Sequence, residues 1–148
     1  MDVVHQLLPD GPDETEQQAK IQRIVIGCDT VAVLDDEILG KPTDREDARR
    51  ILESLRGTRH TCISGLCLWN LSTDAVQLQC ERTTLRMKNI SDATLEQYLD
   101  ANLWQGKAGA YGLQDGLDWA MIDEGSETNV VGLPMELLDE LLRPTDDV

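Results

Sequence analysis

The sequence predicts a single α/β domain in which a mixed, twisted β-sheet is flanked by helices. Three observations predict this class. Short β-branched runs are bounded by glycine and turn residues, strand-like runs that include an alternating one occupy the middle of the chain, and apolar residues recur at helical spacing from residue 48. The first two patterns are typical of strands and the third of an amphipathic helix. With 148 residues the chain can bury one core and is too short for two ordinary domains.

The first predicted elements are strands. Residues 24–26 and 31–34 are β-branched or apolar runs on either side of Gly27, and Asp35 and Asp36 indicate a turn before a further short run. The pattern fits a hairpin or one bent strand with a return.

A helix is predicted next. Thr43 and Glu46 have the spacing of a capping box, and Gly57 would end the helix. The apolar residues between them fall on one helical face and predict its buried side: Ala48, Ile51, Leu52 and Leu55.

The remaining elements are predicted by alternation and caps. Residues 59–69 and 75–82 indicate two strands joined by a turn. Ser91 is placed to cap a second helix with Leu95, Tyr98 and Leu99 facing inward. Residues 119–122 indicate another strand, and Pro134 suits the first turn of a closing helix.

Charge divides the chain into three parts. Residues 1–17 and 144–148 are predicted to be acidic terminal segments, with the first poorly ordered, and residues 18–143 to be the folded domain. The 28 acidic and 13 basic residues give a net charge of −15. This balance argues against a DNA- or RNA-binding surface, because such surfaces are built from lysine and arginine. A small nucleotide needs only a few local cations. An acidic structural adaptor is a minor alternative that rests on charge alone.

The four cysteines do not predict a metal or redox site. They form no Cys-x-x-Cys pair, and no histidine lies at zinc-finger spacing. Because Cys62, Cys67 and Cys80 fall in strand-like runs, we expect buried free thiols and a reducing cytoplasm. The first twenty residues show no pattern of a secretory signal, and no stretch of the 148 residues is apolar over the length needed to span a membrane.

Two glycine-lysine segments are candidates for contacting phosphate. They are Gly40-Lys41-Pro42 and Gly106-Lys107-Ala108. A glycine beside a lysine lets backbone approach a ligand closely while the ammonium supplies charge. An exposed loop lysine is the alternative for each.

A carboxylate and an amide complete the candidate site. Asp29 follows a strand run and could activate a water molecule, although an aspartate in this place is also typical of a turn or cap. Gln114 can both donate and accept, which suits the pairing edge of uracil or thymine. We expect His60 to have a surface or capping role, and Trp104 to be buried or at a dimer contact, with base stacking as the alternative.

Several motifs occur together in one order. They are IGCDTVAVLDDEILGKPTDREDARRILESLRGTRHTCISGLCL, GKAGAYGLQDG and NVVGLPMELLDELL. In this combination the chain resembles the Maf family of nucleoside triphosphate pyrophosphatases, from about Gln18 to about Leu142. The resemblance implies a Maf/ITPase-like fold with a nucleotide cleft.

The resemblance also implies an activity. We expect hydrolysis of the α–β phosphoanhydride of a dTTP- or UTP-like pyrimidine nucleotide, or of a modified one, to a monophosphate and pyrophosphate. Mg²⁺ or Mn²⁺ would assist, the enzyme would be a cytoplasmic homodimer, and neither a nucleic acid polymer nor a membrane would be a partner. Asp29 matches the family's proton acceptor and is a possible metal ligand, although the metal site is otherwise unknown. Lys41 and Lys107 would bind phosphates, and Thr30 with Gln114 matches the branch that accepts dTTP and UTP.

Two departures from the family pattern bear on activity. The family opens with a Ser-x-Ser-Pro-Arg-Arg loop that grips phosphates, and residues 1–19 contain neither that loop nor any arginine or lysine. A Gly-Glu-Pro-x-Asp segment is also expected before Lys107, and a carboxylate is therefore absent at Leu103. The alternative is a catalytically impaired nucleotide-binding or regulatory protein that retains the fold.

Overall fold

The computed structural model describes residues 23–143. The acidic segments predicted at residues 1–17 and 144–148, and residues 18–22 of the predicted domain, lie outside the described residues.

The described chain contains strands, α-helices and two single 3₁₀ turns. The strands are β1 (Ile24–Leu34), β2 (Glu37–Leu39), β3 (Arg59–Asn70), β4 (Ala75–Met87) and β5 (Ala120–Glu124). The α-helices are α1 (Arg45–Leu55), α2 (Asp92–Asp100), α3 (Glu127–Val131) and α4 (Met135–Leu142). The 3₁₀ turns are Ala108–Ala110 and Leu113–Asp115.

The strands form one sheet in the order β2-β1-β3-β4-β5. This sheet with its helices confirms the predicted α/β single domain. Its pairings within residues 23–143 are all antiparallel, however, whereas a mixed sheet was predicted. Short turns join β1 to β2 and β3 to β4, and such connections allow only antiparallel pairing, since a parallel pair needs a long crossover.

The turn between β1 and β2 decides between a hairpin and one bent strand with a return, the two alternatives that the sequence left open. Asp35 and Asp36 have positive φ angles of 48° and 66°. Two successive residues with positive φ are typical of the tight turn that matches the twist of a hairpin, and aspartate tolerates this conformation. The segment is therefore a hairpin.

Helix α1 begins one residue later than the capping pattern predicts. The N-cap is Asp44, whose Oδ1 accepts the Asp47 N–H at 2.8 Å, whereas Thr43 was predicted. The Thr43 N–H instead donates to Asp47 Oδ2 at 3.0 Å. An aspartate is as good an N-cap as a threonine or better, so the adjacent acceptor takes the position. The predicted buried face of α1 is confirmed.

One face of the sheet carries the core. The larger apolar cluster lies against α1 and α2 and includes Leu52, Leu99 and Trp104, which confirms the buried reading of Trp104. The indole N–H of Trp104 donates to the Leu99 carbonyl at 3.1 Å, so its polar atom is satisfied. A smaller cluster joins Leu66 and Leu68 of β3 to α4 through Leu138.

The opposite face of the sheet exposes apolar side chains. Val25, Trp69 and Val76 are aligned across β1, β3 and β4, and all three are exposed. Cys80 of β4 is exposed as well, so the prediction that it is a buried thiol is wrong, whereas Cys62 is buried as predicted. Among the helices between residues 23 and 143, none is long and apolar enough to cross a membrane.

Candidate active site

Two loops that are distant in the sequence meet at one end of the sheet. The N–H of Gly109 donates to the carbonyl oxygen of Gly40 at 3.2 Å. Gly109 has φ 69°, and a Cβ built on it would lie 3.0 Å from the Ala32 Cβ. Glycine is therefore needed for both the left-handed backbone and the close approach. The contact brings the Gly-Lys-Pro loop beside the Lys-Ala-Gly loop.

A pocket of about 280 Å³ lies between these loops and strand β1. All of the residues that the sequence proposed for substrate contact line it: Asp29, Thr30, Lys41, Lys107 and Gln114. The structure therefore brings the predicted set together in one place. We call this cavity the loop pocket.

Asp29 lies on β1 where that strand is at the edge of the described sheet. Strand β2 pairs only with the end of β1, from Ala32 to Leu34. Strand alternation places Asp29 on the face opposite to Thr30, so it lies at the rim of the loop pocket, and it is exposed. Its Oδ1 accepts the Thr30 N–H at 2.9 Å, which restrains the carboxylate.

Thr30 is held by a buried polar network. Its hydroxyl lies 2.7 Å from the Ser64 hydroxyl, and Ser64 Oγ donates to the Asn129 carbonyl at 3.3 Å. The Asn129 amide nitrogen donates to Thr83 Oγ1 at 2.9 Å and to the Cys62 carbonyl at 3.3 Å. Ser64, Thr83 and Asn129 are fully buried. Buried polar groups joined in this way fix side-chain orientation, so the Thr30 hydroxyl is preset.

Gln114 folds back over Gly112. A Cβ built on Gly112 would lie 2.9 Å from Gln114 Oε1 and 3.0 Å from its Cδ. Such distances are below van der Waals contact, so a side chain at position 112 would displace the amide. Gly112 thereby leaves the space that the Gln114 amide occupies at the pocket.

Lys107 is paired with a carboxylate that the sequence analysis did not nominate. Its Nζ lies 2.5 and 2.6 Å from the two oxygens of Asp115. Asp115 also accepts hydrogen bonds from the Tyr98 hydroxyl at 3.1 Å and from the Gly112 N–H at 3.3 Å. Lys41, in contrast, is exposed.

His60 is part of the pocket wall, so the prediction of a surface or capping role is wrong. The side chain is buried, and its Nε2 lies 2.8 Å from the Tyr111 hydroxyl, which also lines the pocket. Burial lowers the pKa of His60 to about 4. The imidazole is therefore neutral at pH 7. Burial raises the pKa of the Tyr111 hydroxyl, which keeps that group protonated.

The two cysteines that line the loop pocket, Cys28 and Cys62, are poor nucleophiles at neutral pH. Burial raises the pKa of the Cys62 thiol to about 11 and also raises the pKa of Cys28. The thiolate is the nucleophilic form of cysteine, and it is scarce at neutral pH under these conditions. The chemistry of the pocket therefore rests on its carboxylates, ammonium groups and hydroxyls.

Comparison with known proteins is consistent with this arrangement. The family model described as "Maf-like protein" matches residues 4–145. The chain belongs to the Maf family. The match spans the loop pocket and every described helix and strand.

Proteins named dTTP/UTP pyrophosphatase are similar to this Maf-family chain. One from Rhodopirellula baltica is 46% identical over 120 residues, which cover 80% of this chain and 53% of that protein. Another, from Dictyoglomus thermophilum, is 42% identical over 121 residues, covering 80% of this chain and 62% of the relative. A third, from Ruminiclostridium cellulolyticum, is 36% identical over 130 residues, covering 86% and 67%. The chain thus spans between about half and two thirds of the length of these Maf-family relatives.

His60 could have been found in the sequence of this Maf-family chain, because a strand with a period of two places it in phase with Leu66 and Leu68. Asp115 gives no such signal. It follows Lys107 by eight residues through two irregular turns, and neither a helical nor a strand period relates the two positions.

The donor set limits how a divalent cation could be held. Within residues 23–143, no group of three or more His, Cys, Asp or Glu side chains is placed to bind a metal ion. Asp115 is already engaged by Lys107, which leaves Asp29 as the pocket carboxylate for a cation. A hard cation held by one carboxylate, water and substrate phosphates fits this set, and Mg²⁺ is commonly bound in that way.

Proposed function

We propose that this chain hydrolyses the α–β phosphoanhydride of a pyrimidine nucleoside triphosphate, dTTP or UTP, to a monophosphate and pyrophosphate. The observation that carries the proposal is the convergence of Asp29, Lys41, Lys107 and Gln114 on one pocket. The printed names of the relatives supply the reaction.

Asp29 is proposed as the general base. A water oxygen attacks the α phosphorus while its proton passes to the Asp29 carboxylate. The bond from the α phosphorus to the bridging oxygen breaks, and pyrophosphate leaves with the electron pair. The exposed position of Asp29 at the pocket rim supports this role, because water reaches it freely.

Lys41 and Lys107 are proposed to contact the phosphates. Both line the pocket, and their loops are joined by the hydrogen bond between Gly109 and Gly40. Two ammonium groups offset the charge that develops on phosphate oxygens during transfer. Mg²⁺ or Mn²⁺, held by Asp29 with the substrate phosphates, would supply further charge neutralisation.

Thr30 and Gln114 are proposed to recognise the base. Thr30, whose hydroxyl is held by Ser64, and Gln114 both line the pocket. An amide held in one orientation can pair its N–H with O4 and its oxygen with N3–H of uracil or thymine, whereas cytosine presents the reverse order, a donor at N4 and an acceptor at N3. The pocket therefore favours UTP and dTTP over CTP.

Two wider aspects of the enzyme belong to the same proposal, its oligomeric state and its location. A homodimer is supported by the apolar side chains exposed on the outer face of the sheet, including Val25, Trp69 and Val76. Light scattering on the purified chain measures the mass of the particle in solution and so tests this. A cytoplasmic location is supported by the four free cysteines, which suit a reducing compartment.

Pyrophosphate release by the 148-residue chain tests the activity. UTP, dTTP, CTP, GTP and 7-methyl-GTP are supplied with Mg²⁺ or Mn²⁺. The double variant Lys41→Gln/Lys107→Gln should lose activity, whereas Lys88→Gln should retain it, because Lys88 lies outside the pocket lining. Binding of UTP without release would favour the alternative, a nucleotide-binding protein without turnover.

A further inference from the structure

The pair formed by Lys107 and Asp115 is not an ordinary surface ion pair. The ammonium lies 2.5 and 2.6 Å from the two carboxylate oxygens. The exposed fractions are 22% for the Lys107 side chain and 11% for that of Asp115. Partial burial reduces solvent screening, so this pair restrains the lysine more than an exposed pair would.

Asp115 is anchored independently of Lys107. It accepts the Tyr98 hydroxyl at 3.1 Å and the Gly112 N–H at 3.3 Å. The Tyr98 ring in turn packs against Trp119 with ring centroids 4.8 Å apart, inside the main core cluster. The carboxylate is therefore fixed to the core, and the flexible partner of the pair is the lysine.

The two pocket lysines differ in this respect. Among the ion pairs between described residues, Lys107 takes part in one and Lys41 in none. A free lysine loses the rotamer freedom of its four-carbon stem when it contacts a ligand, which opposes binding. A lysine that is already held incurs little of that loss.

We propose that Asp115 is a positioning residue, which holds the Lys107 ammonium at the wall of the loop pocket so that it meets a phosphate group of the ligand. This rests on the proposed function of the same pocket. An ammonium has three N–H donors, and two of them suffice for the carboxylate oxygens. The third remains for a phosphate oxygen. Asp115 acts through Lys107 and does not itself contact the phosphate.

The competing explanation is that Asp115 only ties the loop together through Tyr98 and Gly112. Asp115→Asn separates the two explanations, because the amide oxygen still accepts those hydrogen bonds while the charge that holds Lys107 is lost. Asp115→Glu restores the charge. The matched control is Asp118→Asn, which removes the partner of Lys88 in an exposed pair at 2.7 Å, outside the pocket lining.

Lysine acylation followed by mass spectrometry measures how firmly Lys107 is held. In the unaltered chain we expect Lys107 to react more slowly than Lys88. Asp115→Asn should raise the acylation rate of Lys107 by at least about tenfold, because the loss of a charge-assisted hydrogen bond changes an equilibrium by that factor or more. Asp115→Glu should reverse most of this increase, and Asp118→Asn should leave the Lys107 rate unchanged. An unchanged Lys107 rate in Asp115→Asn would overturn the proposal.

Inorganic tripolyphosphate tests whether the held lysine serves a phosphate ligand. It should protect Lys107 from acylation in the unaltered chain, and half-protection should need roughly tenfold more of it in Asp115→Asn. Equal or tighter protection in that variant, or none in the unaltered chain, would contradict positioning. These measurements do not depend on turnover, so they decide the role of Asp115 even if no nucleotide is hydrolysed, a result that would count against the proposed function alone.

Where pyrophosphate is released, kinetics give a second readout. Misplacement of a group that contacts the transition state lowers kcat, on the order of 10²-fold in demanding cases. We expect Asp115→Asn to lower kcat more than it raises KM for UTP, with partial recovery in Asp115→Glu. A variant with unchanged kcat and KM would overturn the proposal.

Discussion

The N–H of Gly109 donates a hydrogen bond to the carbonyl oxygen of Gly40 at 3.2 Å. Each glycine lies close to a lysine of the loop pocket, Lys41 on one side and Lys107 on the other. The bond therefore holds together the backbones of the two loops that carry these lysines. Its geometry depends on a left-handed residue at position 109 whose Cα lies against Ala32.

Gly109→Ala should unfold more easily than the unaltered chain. A left-handed non-glycine residue costs about 1–3 kcal/mol, and the new Cβ would also press on the Ala32 Cβ at 3.0 Å. Urea unfolding measures the loss. Made in an Ala32→Gly background, the same substitution should cost only the backbone part, because the contact with the Ala32 Cβ is absent there. Gly40→Ala is the control, because its Cβ would meet nothing within 4 Å; equal losses at positions 40 and 109 would refute this explanation.

Asp29→Asn should lower kcat by at least about 10²-fold, since an amide cannot accept the proton of the attacking water. Stability should change by less than about 0.5 kcal/mol, because Asp29 is exposed and the amide oxygen still accepts the Thr30 N–H. Steady-state pyrophosphate release and urea unfolding measure both quantities. Asp36→Asn, an exposed turn residue outside the loop pocket, is the control. Full activity of Asp29→Asn would remove Asp29 from the mechanism.

Gly112→Ala should change base preference without unfolding the chain. The added Cβ displaces the Gln114 amide, whose end is flexible and can move at little cost in stability. The ratio of kcat/KM for UTP over CTP should fall by about tenfold, as it should in Gln114→Ala. Gly27→Ala is the control, since its Cβ would have only an ordinary contact at 3.8 Å with Cys67. A fall that is equal for all nucleotides would indicate loop packing instead of base recognition.

His60 should make the fold sensitive to acid. Burial lowers its pKa from 6.5 to about 4, so the unfolded chain binds more protons than the folded chain between these values. Stability is therefore lost as pH falls through that window, by about 2 kcal/mol between pH 7 and pH 5.

Urea unfolding at pH 7 and pH 5 measures the effect of His60 by comparison with His60→Gln. The glutamine does not titrate and can still hydrogen-bond the Tyr111 hydroxyl, and carboxylates contribute equally to both proteins. The unaltered chain should lose about 2 kcal/mol more than the variant. Equal losses would show that His60 is not protonated on unfolding in this range.

The parts of the fold that follow local rules were predictable from the sequence. The buried face of α1, the Ser91 cap of α2 and the turn at Asp35 and Asp36 each depend on neighbours within a few residues. The cap at Asp44 was missed by one position because two adjacent residues could both serve. Strand direction was less accessible, since the pairing of β1 with β3 joins residues that no local pattern relates.

The residues of the candidate site likewise fall into those that local motifs predict and those that only tertiary contacts bring together. Asp29, Lys41 and Lys107 stand in motifs and were nominated, and the structure places them around one pocket. Asp115 was missed because its role depends on how two irregular turns bring it to Lys107. The network behind Thr30 was missed because Ser64 and Asn129 meet only through packing of α3 on the sheet. Contacts of this kind arise from tertiary structure and leave no periodicity to read.

The identity of the products shows which phosphoanhydride bond the chain cleaves. The 148-residue chain is incubated with UTP and Mg²⁺, and ³¹P NMR follows the phosphorus resonances, with Asp29→Asn in parallel. We expect UMP and pyrophosphate in equal amounts from the unaltered chain, and at least about 10²-fold slower formation of both by the variant. UDP with inorganic phosphate, or no product from a chain that still binds UTP, would contradict it.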